Sequence, residues 1–410
     1  DALARERLTP PDPRMLSRID EARAELQRAA ALEFAGRFED ALGHTTTALA
    51  EADDLGYGPL RAEVLARRGA LLDRTSRSPE AIETLYDAAA TATANRHHAA
   101  AARAWIELVY ALGRHEQRFG EARVANAQAE AELVALGGDD NLDAARLTNL
   151  GTLEFGEGRI DDALAHYRDA LDLRARLEQP LRQADVLFNI ANVELMQGKY
   201  DDAGTHLREC LDLWQAVVGT AHPDTLDVIH SLGVLHGHAE RYEESREQLE
   251  LALRLRTELL GADSREAAAS ASALGRAYVG LGRFDEGIAL MERSLASYER
   301  LYAPDHAHVG GQRAHLAEAL WAAGRHDEAR REIARAIEIE TAALGEDHPT
   351  VASSMRLHAH FELAAGHRTI AEKILRRSLV TLEKAWGPDN IDVVATRDML
   401  AAALRGETFE

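Results

Sequence analysis

Nothing restricts the possible folds of this chain more than one spacing. Gly219, Gly261, Ala303, Gly345 and Gly387 each stand 42 residues from the next. The same interval joins Glu240, Gly282, Gly324 and Gly366, and Leu232, Leu274, Leu316, His358 and Leu400. Self-similarity at such a period marks a stacked repeat array, in which each unit buries its apolar face against its neighbours. Within a unit the pattern is helical twice over. In Ala271–Tyr302, Leu274, Ala277, Tyr278 and Leu281 recur at helical spacing. Gly282-Arg283 then breaks the run, and Ile288, Met291 and Leu295 restart it.

Other features agree with an all-α array. Aromatic residues are 5% of the chain, and the ten prolines fall near the N-terminus or between expected helices. The turn positions 36, 76, 117, 158, 198 and 240 carry the repeat back to the start at intervals of 40 to 42 residues. Ser76 replaces the glycine of its turn, and "RHEQRFGEAR" around 117 is a degenerate turn, so both are weaker signals. The expected organisation is a linker or cap over 1–14, an array of about nine helix pairs plus a terminal capping helix over 15–404, and a tail over 405–410. Asp1 is not an initiator methionine, which suggests a piece of a longer protein or a processed product.

Small residues at 151, 191, 233, 275, 317 and 359 are expected to let the paired helix approach closely. A second small set stands at 163, 203, 245, 287, 329 and 371. Acids after each turn, such as Asp285-Glu286, are expected to cap and charge-match the second helix.

The segment "LGRAYVGLGRFDEG" and its counterparts resemble tetratricopeptide repeats. Their 42-residue length and the inter-unit "GTAHPDT", "GEDHPTV" and "GPDNIDV" are similar to the repeats of kinesin light chain and many bacterial proteins. The resemblance implies a right-handed superhelical solenoid whose first helices line a concave groove. A second, shorter resemblance lies in "DALARERLTPPDP" and "AARAWIELVYALG". It is to the C-terminal region of large bacterial serine/threonine protein kinases, where a kinase domain precedes the repeats. This chain has no G-x-G-x-x-G, H-R-D or D-F-G of its own.

Signatures of chemistry are missing from the sequence. It has no P-loop, G-x-S-x-G, H-E-x-x-H or C-x-x-C. No two of the eighteen histidines stand three or four apart, the spacing that puts two ligands on one helix face. No catalytic residue, metal site or cofactor is therefore expected. His222, His306 and His348 read as helix-start punctuation, and Cys210 as a buried, inert thiol. The net charge of −22 disfavours nucleic acid and anionic membranes as partners. One cysteine fits a reducing compartment, and no apolar run reaches the roughly 20 residues that span a bilayer, so a cytoplasmic location is expected.

If the first helices face inward, fixed offsets from the small mid-helix residue select the groove. These positions are Thr148, Asn149 and Thr152; Asp185, Phe188, Asn189, Asn192 and Met196; and Asp227, His230, Ser231 and His238. Arg276, His315, Glu318, Trp321, Arg356 and His360 complete them. The peptide-binding set is Asn149, Phe188, Asn189, Asn192, His230, Arg276, His315, Glu318, Trp321, Arg356 and His360. Asparagine is a poor helix former, and its amide can hold a peptide backbone or, equally, a neighbouring unit's backbone. Trp321 beside His315 reads as an apolar anchor or as packing within its own unit. The Lys/Asn/Arg carboxylate clamp of chaperone-binding relatives is not recognisable. The expected function is non-catalytic recognition of a protein or peptide, as the substrate-recruiting or regulatory region of such a kinase. The alternatives are a stand-alone adaptor in a signalling or secretion assembly, and the sensor region of a regulator or protease.

Overall fold

The computed structural model describes residues 10–75, 77–115, 118–388 and 390–406. Ser76, Gln117 and most of the expected linker and tail lie outside these residues. Nineteen α-helices follow one another, with no strand among the described residues. They are α1 (Leu16–Phe34), α2 (Phe38–Leu55), α3 (Gly58–Arg74), α4 (Ser78–Ala94), α5 (His98–Tyr110), α6 (Phe119–Leu136) and α7 (Asp140–Gly156). Then come α8 (Ile160–Arg176), α9 (Pro180–Met196), α10 (Tyr200–Val218), α11 (Pro223–His238), α12 (Tyr242–Leu260) and α13 (Arg265–Gly280). The last six are α14 (Phe284–Leu301), α15 (Ala307–Ala322), α16 (His326–Leu344), α17 (Pro349–Ala364), α18 (Arg368–Trp386) and α19 (Ile391–Arg405). A π-helical turn, Ala111–His115, extends α5.

The chain divides into two compact units, Asp1–Asn189 and Ile190–Glu410, with the boundary inside α9. In each, an odd-numbered helix packs antiparallel on the even-numbered helix that follows it, and the pairs stack in order. Successive odd helices also touch: α1, α3, α5 and α7 in the first unit, and α11, α13, α15, α17 and α19 in the second. Successive even helices contact each other less. Each unit therefore curves with its odd helices on the inner face.

The small residues act at the close approach within each pair. A Cβ on Gly275 would lie 2.5 Å from Met291 Cγ, and one on Gly233 would lie 2.5 Å from Leu249 Cγ. Ala163, Ala203, Ala329 and Ala371 are fully buried at the matching position of the even helix. Ser245 occupies it in α12 and donates to Gly233 O at 2.7 Å. Cys210 is also buried, on α10.

The two helix starts are built differently. The N-caps of α11, α13, α15, α17 and α19 are His222, Ser264, His306, His348 and Asn390, one every 42 residues. Each side chain accepts a backbone N–H of the first turn; His222, His306 and His348 do so through Nδ1 at 3.2–3.3 Å. The even helices lack this bond. Their N-cap is Arg, Lys or His, with no side-chain cap. The acids expected to cap them lie inside the first turn instead. There they pair backward with the N-cap arginine, as in Arg283–Glu286 and Arg325–Glu328, both 2.7 Å. Their charge still complements the helix dipole.

α19 closes the second unit. Met399 and Ala403 join Ala359, Leu363 and Leu375, while Val393 meets Ala352 and Leu382. No described helix is long and apolar enough to cross a membrane.

Candidate ligand-binding faces

The inner face of the second unit is lined by α11, α13, α15, α17 and α19, and its polar side chains interact. Arg276 on α13 acts electrostatically on both His238 of α11 and His315 of α15, as does Glu318. Glu318 also acts on His360 of α17, whose other neighbour is Arg356. Asp392 on α19 reaches His238 and pairs with Arg356 at 3.0 Å. Five helices thus bring Arg276, His315, Glu318, Arg356 and His360 to one region, with His238 and Asp392 added to them.

Near His230, Asp227 of α11 pairs with Arg256, and loss of surrounding water raises its carboxyl despite that pair. Burial pushes the imidazoles the other way. His230 is lowered to about 3, by burial first and by Arg256 second. His315 is lowered to about 4, by burial and then Arg276, while His238 and His360 are also lowered. All four are neutral at pH 7.

Polar capacity is left over on this face. Arg276 and Glu318 have no hydrogen bond or ion pair among the described residues. His315 Nδ1 and Arg356 Nε are buried without a hydrogen-bond partner. His230 is instead tied into the fold, since its Nδ1 lies 3.4 Å from Ser270 Oγ beside the Arg256–Asp227 pair.

The other expected residues divide. Asn149 donates its amide to Ile106 O of α5 at 2.9 Å, so it joins adjacent repeat pairs of the first unit. Thr148 and Thr152 hydroxyls bond back to their own helix, and Thr152 also meets Tyr167 Oη at 3.0 Å. Phe188, Asn189 and Asn192 are half-buried on α9, and neither of those two asparagines has a hydrogen-bond partner among the described residues. Trp321 is half-buried. Its ring stacks on Phe361 at 4.3 Å, with His326 at 4.2 Å and the Arg330 guanidinium over it at 5.6 Å. At the end of α15 it therefore packs both within its own pair and against the next.

The first unit has its own inner-face charges. Glu107 on α5 is raised by burial, then by Glu33, with Arg103 and Arg182 opposing. Sequence reasoning passed over it, although an acid within the apolar run "WIELVY" was a usable signal. It also missed where many histidines go. His44, His98, His166 and His206 pair with Glu25, Glu132, Glu154 and Glu194 at 2.5–2.7 Å. No group of side chains suited to a metal ion occurs among the described residues.

Comparison with known proteins places this geometry. Sequence models described as tetratricopeptide repeat match residues 144–180, 182–258, 228–300, 272–344 and 312–384, together more than half of the chain. Among solved structures, one of a Rap protein complexed with competence and sporulation factor is 14% identical with a TM-score of 0.56. The match covers 94% of this chain and 98% of that one. A tetratricopeptide repeat protein from Parabacteroides merdae is 15% identical, TM-score 0.50, over 73% of this chain and 99% of that one. A Podosopora anserina protein described as kinesin light chain, with nearly identical TPR-like repeats, is 23% identical, TM-score 0.39, over 50% and 98%. No curated protein matches the sequence.

Proposed function

The chain belongs to the tetratricopeptide repeat family, and from that premise we propose that its inner faces bind a segment of a protein partner without catalysis. One observation carries this reading. Polar groups of five helices converge on the inner face of the second unit, and Arg276, Glu318, His315 Nδ1 and Arg356 Nε there lack partners within the fold. Arg276 and Glu318 keep hydrogen-bonding capacity that the fold does not use and that a bound segment can engage. Asn189 at the end of the first unit and Asn192 in the second each carry an amide that can donate and accept at once, which suits contact with a peptide backbone. A bound factor in a neighbour that shares the fold over most of the chain is consistent with such a role.

The test is a peptide array probed with the intact protein, followed by hydrogen exchange on the segments that bind. Slowed exchange on α11, α13, α15 and α17 is the expected result. Protection confined to the even helices, or no binding segment at all, refutes the assignment.

The setting we favour is the C-terminal region of a cytoplasmic bacterial serine/threonine kinase, where the array recruits substrates or regulates the kinase. Its support is the short "DALARERLTPPDP" resemblance. Reading the native gene upstream of Asp1 tests it. A Gly-rich loop and H-R-D there support the kinase setting, and a start codon close by replaces it with a free adaptor.

A further inference from the structure

We propose that the inner face of the second unit takes one basic side chain of the bound segment over Gly311 of α15, where the Glu340 carboxylate of α16 meets it. The inference rests on the inner-face reading above and adds the partner's charge at one position.

Two adjacent glycines mark the place. Glycine is the poorest helix former after proline, so a pair of them inside α15 calls for a reason at each position. Gly310 has its reason in the fold. A Cβ there would lie 2.6 Å from Glu340 Cγ and 3.4 Å from its Cδ, so the carboxyl rests against the α15 backbone. Gly311 has none, since a Cβ there would meet nothing within 4 Å. The repeat phase shows what a side chain at this position can reach. Asp227, Arg256 and Ser270 stand two 42-residue intervals before Gly311, Glu340 and Ser354. In that earlier repeat Asp227 and Arg256 form an ion pair, and Arg256 Nη1 also donates to Ser270 Oγ at 2.8 Å. A group at the Asp227 position therefore touches one at the Arg256 position. Two repeats on, an acid replaces the arginine and glycine replaces its partner.

Glu340 is thus left without a counter-charge. It is fully buried, and neither carboxylate oxygen has a hydrogen-bond partner. Ser353, the counterpart of Gly311 on α17, also carries a buried Oγ without a partner. A carboxylate in such a place gains most from a cation that donates N–H groups, and a guanidinium supplies two in parallel. Water does not reach the oxygens, so Glu340 turns past Gly311 to meet the cation. No hydrogen bond holds it back, rotamer changes are common at binding surfaces, and the glycine leaves the path clear. The neighbouring arginine, Arg313, is already held by Glu299 and Glu332, both at 2.6 Å. Gly311 also lies seven residues before Glu318 on α15, about 10 Å along the helix, so this position is separate from the polar groups around Arg276. The net charge of −22 adds a long-range attraction for a basic segment.

The test uses the full chain at pH 8, above the value of about 7 to which burial raises the Glu340 carboxyl. Its first arm needs no ligand. Gly311→Arg, which tethers a cation in place, should melt higher than Gly311→Gln, a substitution of similar helix propensity. The difference should vanish when each is combined with Glu340→Gln. Equal Tm values, or a difference that survives Glu340→Gln, overturn the proposal, because a cation at 311 then does not meet Glu340. The second arm reads anisotropy with fluorescent nonapeptides of Ala and Ser, blocked at both ends, that carry Arg, Lys, Gln or Glu at the centre. The Arg and Lys peptides should bind at least tenfold tighter than the other two. Glu340→Gln should remove that preference, and Gly311→Leu should remove it without lowering Tm. Equal binding of all four, or a preference that survives Glu340→Gln, overturns the proposal. If the Gln or Glu peptide binds best and slows exchange on the odd helices, the basic assignment fails while the inner-face reading survives. If none of the four binds, this proposal fails and the peptide array decides the broader one.

Discussion

Gly275 and Gly287 meet backbone to backbone across the α13–α14 pair. A Cβ on Gly287 would lie 2.6 Å from Gly275 O, and one on Gly275 would lie 2.7 Å from Gly287 O. Neither obstacle is a flexible side-chain end, so the helices must separate to admit a methyl group. Gly275→Ala should therefore cost about 1–3 kcal/mol, the usual range for overpacking, in spite of alanine's better helix propensity. Urea unfolding at fixed pH measures it. A neutral or stabilising result would mean that the pair slides apart freely. Ala317 and Ala359 show that other pairs accept a methyl group at the equivalent place.

The helix-start histidines give a prediction with a pH signature. His348 Nδ1 accepts from Thr350 N at 3.2 Å, which requires that nitrogen to be unprotonated. Burial lowers the His348 pKa. A depressed folded pKa means that the neutral form is favoured by folding. The stability it contributes is complete above the unfolded pKa of about 6.5 and is lost as pH falls through the folded value. His348→Asn should keep the cap and lose this acid sensitivity. His348→Ala should cost about 0.5–2 kcal/mol at pH 7.5, the range for lost N-caps. Tm against pH for the three proteins is the measurement, and parallel curves for wild type and His348→Asn would refute it.

The 42-residue interval made the helix pairs legible, because Gly282, Leu274 and Met291 each have one clear job within a repeat. The inner-face positions were readable from the same phase. Their partners were not, since a partner comes from another repeat. Asn149 and Asn189 look alike in sequence, yet only Asn149 meets a backbone carbonyl one repeat back. Trp321 read as a groove anchor or as packing within its own unit, and nothing in its own repeat says that Phe361 of the next lies over it at 4.3 Å. The acids after each turn misled for a local reason. An arginine already holds the cap position, so Glu286 pairs with Arg283 rather than capping.

That difference between asparagines is testable. Asn149→Ala removes the amide that donates to Ile106 O, so it should cost about 0.5–1.5 kcal/mol, the net value of an ordinary hydrogen bond. Asn189→Ala plus Asn192→Ala should leave the melting curve nearly unchanged, because neither side chain is hydrogen-bonded among the described residues. Against a peptide found by the array, the double substitution should lose about 1–3 kcal/mol of binding, the scale of unmade buried hydrogen bonds. A large stability loss with unchanged binding would reverse the assignment.

Glu340 gives a pH dependence of the opposite sign. It is fully buried on α16, its Cγ would meet a Cβ on Gly310 at 2.6 Å, and both carboxylate oxygens lack hydrogen-bond partners. Burial raises its pKa to about 7, an effect that nearby Ser354 only partly offsets. A raised folded pKa means that folding favours the protonated form. Its contribution is complete below the unfolded pKa of about 4.3 and is lost as pH rises through about 7. Stability of the second unit should therefore fall as pH rises from about 4.3 to about 7 and level off above it. Glu340→Gln should flatten the curve there, since the amide cannot ionise. Glu340→Leu should raise stability at pH 8 by removing a buried group that has nothing to bond. Urea unfolding at pH 5, 6.5 and 8 separates the three proteins. If wild type and Glu340→Gln lose stability equally as pH rises, Glu340 is ionised in the folded protein and the neighbourhood of Gly310 must admit water.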